Sequence, residues 1–209
     1  TSIAYGEANS GLITTILKAG EAYGTFYGYE QAGIFQNAQE VAASTQTGAR
    51  VGGMKFADTN GDNIINASDR TTIGSPLPDF TYGINFNSSY KRFDLVAFFY
   101  GSQGNDIYNL TRNYTDLQVF PSAGSVRLLD AWSPTNTGSR TPSGSALASP
   151  LEAQSSSYYI ENGSYFRLKN LQLGYTLKSG NWMQKAGLSK IRVYGSVTNV
   201  FTVTKYSGL

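Results

Sequence analysis

Strict alternation of apolar and polar positions is the strongest pattern in this chain. In FTYGINFNSSYK, residues 80–91, Phe80, Tyr82, Ile84, Phe86 and Tyr90 share one face of an extended strand. Thr81, Gly83, Asn85, Asn87 and Ser89 share the other. A period of two over that length predicts a strand with one apolar and one polar side. A short polar turn around Lys91-Arg92 leads into Asp94 to Tyr100, which predicts the return strand of a hairpin. The pattern recurs at 164–177, where Leu171, Leu173, Tyr175 and Leu177 alternate with Asn170, Gln172, Gly174 and Thr176. It recurs again at 190–204, where Ile191, Val193, Val197 and Phe201 alternate with Arg192, Tyr194, Ser196, Thr198 and Thr202. Arg167 and Lys169 interrupt their strand, which predicts either a charged strand end above the apolar zone or a β-bulge that shifts the faces. Residues 23–35, YGTFYGYEQAGIF, read as a fifth extended segment.

Between these strands the alternation lapses. The segment after Phe35 runs to Phe80 without a clear period, and a longer one, rich in Ser, Thr, Pro, Asn and Gly, runs from Gly104 to Tyr158. Within it only SVRLLDAW, residues 125–132, predicts a short helical turn. Connections this long are uncommon in compact domains and usually functional. Tight turns at one end and long connections at the other are the layout of an outer-membrane β-barrel, whose aromatic face meets lipid while its polar face lines a wet interior. A Greek-key sandwich also accommodates long loops, and it would bury the same aromatic face against a second sheet.

Composition supports the all-β reading and removes much chemistry. The chain holds 15 Tyr, 11 Phe and 23 Gly, the aromatic residues and turn formers of β structure. Only 14% of residues are charged, against roughly 25% in an ordinary soluble domain. There is no cysteine and no histidine, which excludes disulfides, thiolate metal sites and imidazole bases. A formal net charge of +2 without a basic cluster argues against a nucleic-acid surface. No catalytic constellation is visible, so the chain is not read as an enzyme. No apolar run is long enough for a membrane-spanning helix.

One stretch carries ligand chemistry. In FADTNGDNIINASDR, residues 56–70, Asp58, Asn60, Asp62 and Asp69 stand at positions 1, 3, 5 and 12 of a twelve-residue loop. That oxygen spacing suits Ca2+, with the Ile64 backbone carbonyl at position 7 as a further ligand. Asn63 stands where such loops carry glycine, and Asn tolerates the left-handed conformation required there. The alternative is a loop closed by Asx turns, in which the same side chains accept local N–H groups. Any ion here would stiffen the loop, because no amphipathic helices flank it to move. Trp132, beside Asp130 and Asn136 in the longest connection, is a candidate substrate platform. The alternative is a Trp that pins its own loop.

Five blocks in order carry a resemblance: YGTFYGYEQAGIFQN; GGMKFADTNGDNIINASDRTTIGSPLPDFTYGINFNSSYKRFDLVAFFYGSQGNDIYN; AWSPTN; YYIENGSYFRLKNLQLGYTL; and KIRVYGSVTNVFTVTKYSG. Together, from about Tyr23 to Gly208, they resemble the C-terminal part of SusC/RagA-type TonB-dependent outer-membrane transporters. The resemblance implies an all-β chain that is part of a large antiparallel transmembrane β-barrel with long extracellular loops and short periplasmic turns. It implies that residues 1–209 supply five or six barrel strands, with the plug domain, the TonB box and the closing strand lying outside them. For the intact protein it implies TonB-dependent import of oligosaccharides or peptides across the outer membrane of a Gram-negative, Bacteroidetes-like bacterium. The implied partners are the TonB complex, a SusD-like surface lipoprotein over the regions 36–78 and 103–160, and the lipid bilayer. The competing reading is a secreted, calcium-stabilised β-sandwich that binds glycans or acts as an adhesin. The strand faces decide between them: a sandwich buries Phe80, Tyr82, Ile84, Phe86 and Leu173, and a barrel leaves them bare.

Overall fold

The computed structural model describes residues 3–8, 11–117, 124–144, 149–178 and 180–208. In chain order it forms strands β1 (Ile3–Ala8), β2 (Leu12–Lys18), β3 (Thr25–Gly28) and β4 (Gln31–Ile34), then a short helix α1 (Ala38–Ala43). Strands β5 (Met54–Phe56) and β6 (Thr71–Gly74) flank the acidic loop. The long strands β7 (Phe80–Tyr90) and β8 (Phe93–Gln103) follow, then β9 (Asp106–Tyr108) and helix α2 (Thr111–Thr115). Strands β10 (Ile160–Asn162) and β11 (Tyr165–Thr176), helix α3 (Asn181–Lys185) and β12 (Arg192–Thr204) complete the order. No described helix is long and apolar enough to cross a membrane. The chain divides into two units, Pro78–Asn105 with Asn162–Ser207, and Thr1–Leu77 with Asp106–Glu161.

The first unit is a four-stranded antiparallel sheet in the order β12-β11-β8-β7. Tyr90 pairs with Phe93, so Lys91-Arg92 is a two-residue turn, and Lys91 adopts the positive φ of 56° that such turns favour. Eleven residues at about 3.3 Å each make a strand of about 36 Å, or about 28 Å of depth at a 40° tilt. That matches the hydrocarbon layer of a membrane.

Register sorts the side chains as the alternation predicts. Ile84 lies opposite Phe99, Phe86 opposite Ala97, and Leu173 opposite Leu95. This apolar face is bare: Phe80 is 56% exposed, Ile84 53%, Phe86 50% and Leu173 55%. A sandwich requires these side chains to be buried, so that alternative fails. Aromatic rings gather at both ends of the face. Phe99 stacks on Phe166 at 5.4 Å and Tyr82 on Phe166 at 6.4 Å near the long connections, while Phe93 packs on Tyr175 at 4.8 Å beside the hairpin turn. Between them the surface is mostly aliphatic. An apolar band between two aromatic girdles is the outer surface of a membrane barrel.

The interruption at Arg167 and Lys169 is a β-bulge. Between Leu168 and Asn170 the β11 register shifts against both neighbours, and Asn199, at φ 52°, lies opposite the shift. Without the extra residue, Asn170 and Gln172 would continue the apolar row begun by Phe166 and Leu168. The bulge returns Leu171, Leu173 and Tyr175 to that row and sends Asn170 and Gln172 to the polar side. Arg167 also faces the polar side, donating from Nε to the Thr202 hydroxyl at 2.8 Å.

On that polar side Asp94 of β8 pairs with Arg192 of β12 across the intervening strand. Gly174 makes this possible, because a β-carbon there would stand 2.5 Å from both the Arg192 guanidinium and the Asp94 carboxylate.

The second unit gathers the long connections into a folded body. It contains the antiparallel sheet β1-β2-β3-β6 and the pairs β4-β5 and β9-β10. Its core is a cluster of Tyr29, Ile34, Met54, Phe56, Leu117, Trp132, Tyr158 and Tyr159. The extended segment expected at 23–35 is split into β3 and β4, and at the break Tyr29 bridges to Ser156. SVRLLDAW forms a single 3-10 turn at Val126–Asp130.

Candidate functional site

Three polar assemblies shape this loop body. The first clamps two distant connections together. Glu152 is 1% exposed, and its carboxylate accepts from Arg50 Nε at 3.0 Å, Arg50 Nη2 at 3.2 Å, Met54 N at 2.8 Å and Ser149 N at 2.8 Å. Arg50 also donates to the Ser143 hydroxyl at 2.7 Å. A buried carboxylate is tolerable only with such a full set of donors.

The second assembly centres on Asp116, which is fully buried. It accepts from Arg127 through Nε at 2.9 Å and Nη2 at 3.1 Å, and from the Tyr158 hydroxyl at 2.7 Å. Burial, and then the Asp116 carboxylate, push the Tyr158 phenol pKa upward, so Tyr158 remains a neutral donor. Nearby, Arg112 pairs with Glu161 at 3.0 Å and donates to the Tyr158 carbonyl at 2.6 Å.

The third is the acidic loop. Asp58 accepts from Gly61 N and Asn63 N, each at 2.7 Å. Asn60 accepts from Asp62 N, and Asp62 from Ile64 N. Asp69 is fully buried and accepts from Thr59 N at 3.0 Å and Asn66 N at 2.8 Å, the second closing a capping box around the 3-10 turn Ala67–Asp69. Asn63 adopts φ 61°, the left-handed conformation its position demands. Loss of solvent around Asp58 acts to raise its pKa, but N–H groups of Asn63, Gly61 and Asp62 outweigh it and hold the carboxyl below its ordinary value.

The donor types suit a hard cation, and two of the carboxylates are neighbours. Each side-chain oxygen is nevertheless turned onto a local N–H, as Asx turns require. The Ile64 carbonyl accepts from Asn66 Nδ2 at 3.3 Å. Among the described residues no three acidic, histidine or cysteine side chains converge closely enough to hold a metal ion.

Trp132 is 8% exposed and belongs to the core cluster. Its indole N–H donates to Gln36 Oε1 at 2.8 Å, and its ring lies over Gly52, where a β-carbon would come within 2.6 Å. Asn136 is engaged with Asp130 at 3.0 Å. That placement pins the loop and leaves little ring surface for a solute.

No protein-family model matches the chain. The chain is 41% identical over 199 residues to TonB-dependent receptor P3 of Formosa agariphila, an alignment that covers 93% of this chain and 19% of that protein. It is 29% identical to TonB-dependent receptor SusC of Bacteroides thetaiotaomicron, covering 92% of this chain and 17% of SusC. The solved structure of the RagAB peptide importer in its open-open state superposes with a TM-score of 0.68 at 27% identity, over 98% of this chain and 21% of that one. The chain carries the sequence and fold of a SusC/RagA-type TonB-dependent receptor. It spans about a fifth of the length of these relatives. The four-stranded sheet is accordingly part of a large antiparallel transmembrane barrel, and its bare aromatic face is the side that meets lipid.

Several residues that shape this SusC/RagA-type loop body carry no local sequence signal. Arg50 and Glu152 are 102 positions apart, and Asp116 lies in an unpatterned connection. Only the pairing of a rare charge with its opposite could have suggested them, and a single sequence does not say which pairs meet.

Proposed function

We propose that a transporter carrying this chain imports oligosaccharides or peptides across the outer membrane of a Gram-negative bacterium, driven through TonB. A SusD-like surface lipoprotein closes over the regions 36–78 and 103–160. The observation that carries this reading is the bare apolar band between aromatic girdles on a sheet whose connections fold into a separate body. The likeness to SusC and to the RagAB peptide importer supports it. The role is transport rather than catalysis: the chain has no histidine or cysteine, and its relatives bear the names of receptors and importers. Uptake of labelled oligosaccharide and peptide pools by cells with the intact transporter tests the reading. Uptake should stop when TonB is removed, and the pool that is taken up identifies the substrate class. Uptake that continues without TonB would refute it.

Calcium at the loop 58–69 is a separate proposal, supported by the oxygen donors of Asp58, Asn60, Asp62, Ile64 and Asp69 and by the adjacent Asp58 and Asp69 carboxylates. Its role would be structural. Added Ca2+ should raise the melting temperature of the intact protein and Asp58→Ala with Asp62→Ala should abolish that rise. A chelator-treated protein that melts unchanged on adding calcium ends the proposal.

A further inference from the structure

The loop body contains a cleft of about 280 Å³ that the acidic loop and Trp132 do not touch. Three arginines line it, Arg112, Arg127 and Arg140, together with the polar side chains of Gln31, Thr141 and Ser157. Three arginines on one small cleft are conspicuous in a chain with only 16 Lys and Arg.

Their partners show what the cleft lacks. Arg112 is balanced by Glu161, and Arg127 by the buried Asp116. These two pairs fix the rear wall, and the 5.4 Å contact of Arg112 over the Tyr158 ring holds it further. Arg140 is exposed, and no carboxylate among the described residues pairs with its side chain. Its backbone is nevertheless held, because its carbonyl accepts from Gln31 Nε2 at 3.3 Å and the next residue's carbonyl accepts from Trp132 N at 2.9 Å. Ser157 accepts from Gln31 N at 2.9 Å, leaving its own hydroxyl hydrogen to donate. The cleft therefore carries one uncompensated positive charge on an anchored segment, beside arginines already set in place. Arginine forks match the geometry of carboxylate and sulfate. The volume is at the small end of ligand sites, which suits one sugar ring or one amino-acid residue rather than a whole oligomer.

We infer that this cleft is an anion subsite that receives a carboxylate or sulfate group of the imported solute through Arg140. The inference rests on the import reading above and names the charge of its substrate. Neutral solutes would gain nothing from Arg140.

The test uses the intact transporter purified in detergent, with binding measured by calorimetry at low and high salt. The probes are a uronate oligosaccharide, a sulfated oligosaccharide and an acidic peptide, each beside a neutral analogue of equal length. At least one acidic probe should bind more tightly than its analogue. Arg140→Gln should weaken that probe by about tenfold or more, Arg140→Lys should restore part of the loss, and high salt should erode the difference. Which acidic probe responds names the group. If Arg140→Gln changes no acidic probe, or weakens acidic and neutral probes equally, the inference is overturned. TonB-dependent uptake in cells separates the two readings. Arg140-dependent binding without such uptake sinks import and leaves the subsite. Uptake of acidic probes that ignores Arg140→Gln sinks the subsite and leaves import.

Discussion

Replacing Glu152 by alanine should loosen the loop body. The side chain is 1% exposed and satisfies four donors, two on Arg50 and the backbone N–H groups of Met54 and Ser149. Removing one partner of a buried pair costs about 3–5 kcal/mol, largely because the other charge is stranded. Arg50 keeps 18% of its side chain exposed and retains its bonds to Ser143, so it can partly rehydrate. That places the loss near the lower end, about 3 kcal/mol. The barrel need not unfold for this to be seen. Amide hydrogen exchange in the intact protein should quicken by about a hundredfold across 50–56 and 149–156 if that local opening becomes 3 kcal/mol easier, while β7, β8 and β11 exchange as before. A double substitution, Arg50→Met with Glu152→Leu, should cost less than the two single changes added together, since no charge is left behind. Unchanged exchange in both segments of the Glu152→Ala protein would refute the view that this clamp joins the two connections.

Further outcomes follow from the same packing. Gly174→Val should force Asp94 and Arg192 apart and cost about 1–3 kcal/mol, read as a lower temperature for heat-induced unfolding on semi-native gels, and an unshifted temperature would contradict the steric argument. Asp69→Ala should strip the partners of Thr59 N and Asn66 N and raise protease cutting within 58–69, at a cost of about 2 kcal/mol; if the effect vanishes in the presence of a chelator, an ion and not the cap was responsible. Burial pushes Tyr108 up to about 12, against the opposing pull of the neighbouring Ser155 hydroxyl. Its neutrality therefore stabilises the fold fully below the ordinary tyrosine value of about 10 and ceases to do so as pH rises through about 12. Tyr108→Phe should leave stability at pH 7 nearly unchanged and flatten the fall of melting temperature above pH 10, and an identical alkaline profile in the two proteins would count against that assignment. The depressed Asp58 works in the opposite sense, with its contribution present above about pH 4 and lost as pH falls below it.

The barrel strands were readable because each has one face in lipid and one in water, so solvent imposes a period of two on the residues themselves. Even the interruption at Arg167 and Lys169 was informative, since a bulge is the least disruptive way to restore Leu171 and Leu173 to the row of Leu168. Asn63 likewise announced its left-handed turn. The hairpin β1–β2 was not readable: Thr14 and Ile16 point inward while Ile13, Thr15 and Leu17 point outward, so apolar and polar residues fall on both faces. Strands β4, β5, β9 and β10 have only three or four residues, too few to show a period. The loop body escaped because its core draws single aromatic residues from far apart, Tyr29, Phe56, Trp132 and Tyr158, and the clamp of Arg50 on Glu152 joins charges 102 positions apart. The candidate platform at Trp132 had the right residue types, but the sequence could not show that Gln36 and Gly52 already occupy the ring.

If these strands belong to a barrel, the apolar face of the sheet meets lipid. Single spin labels at Ile84, Phe86 and Leu173, and at Asn85, Asn87 and Gln172, in the intact protein reconstituted into bilayers, test it directly. The first three should be accessible to dissolved oxygen and shielded from a water-soluble nickel relaxant, and the second three should show the reverse preference, alternating residue by residue. Equal access of both sets to the nickel reagent, or no alternation along 84–87, would contradict the barrel.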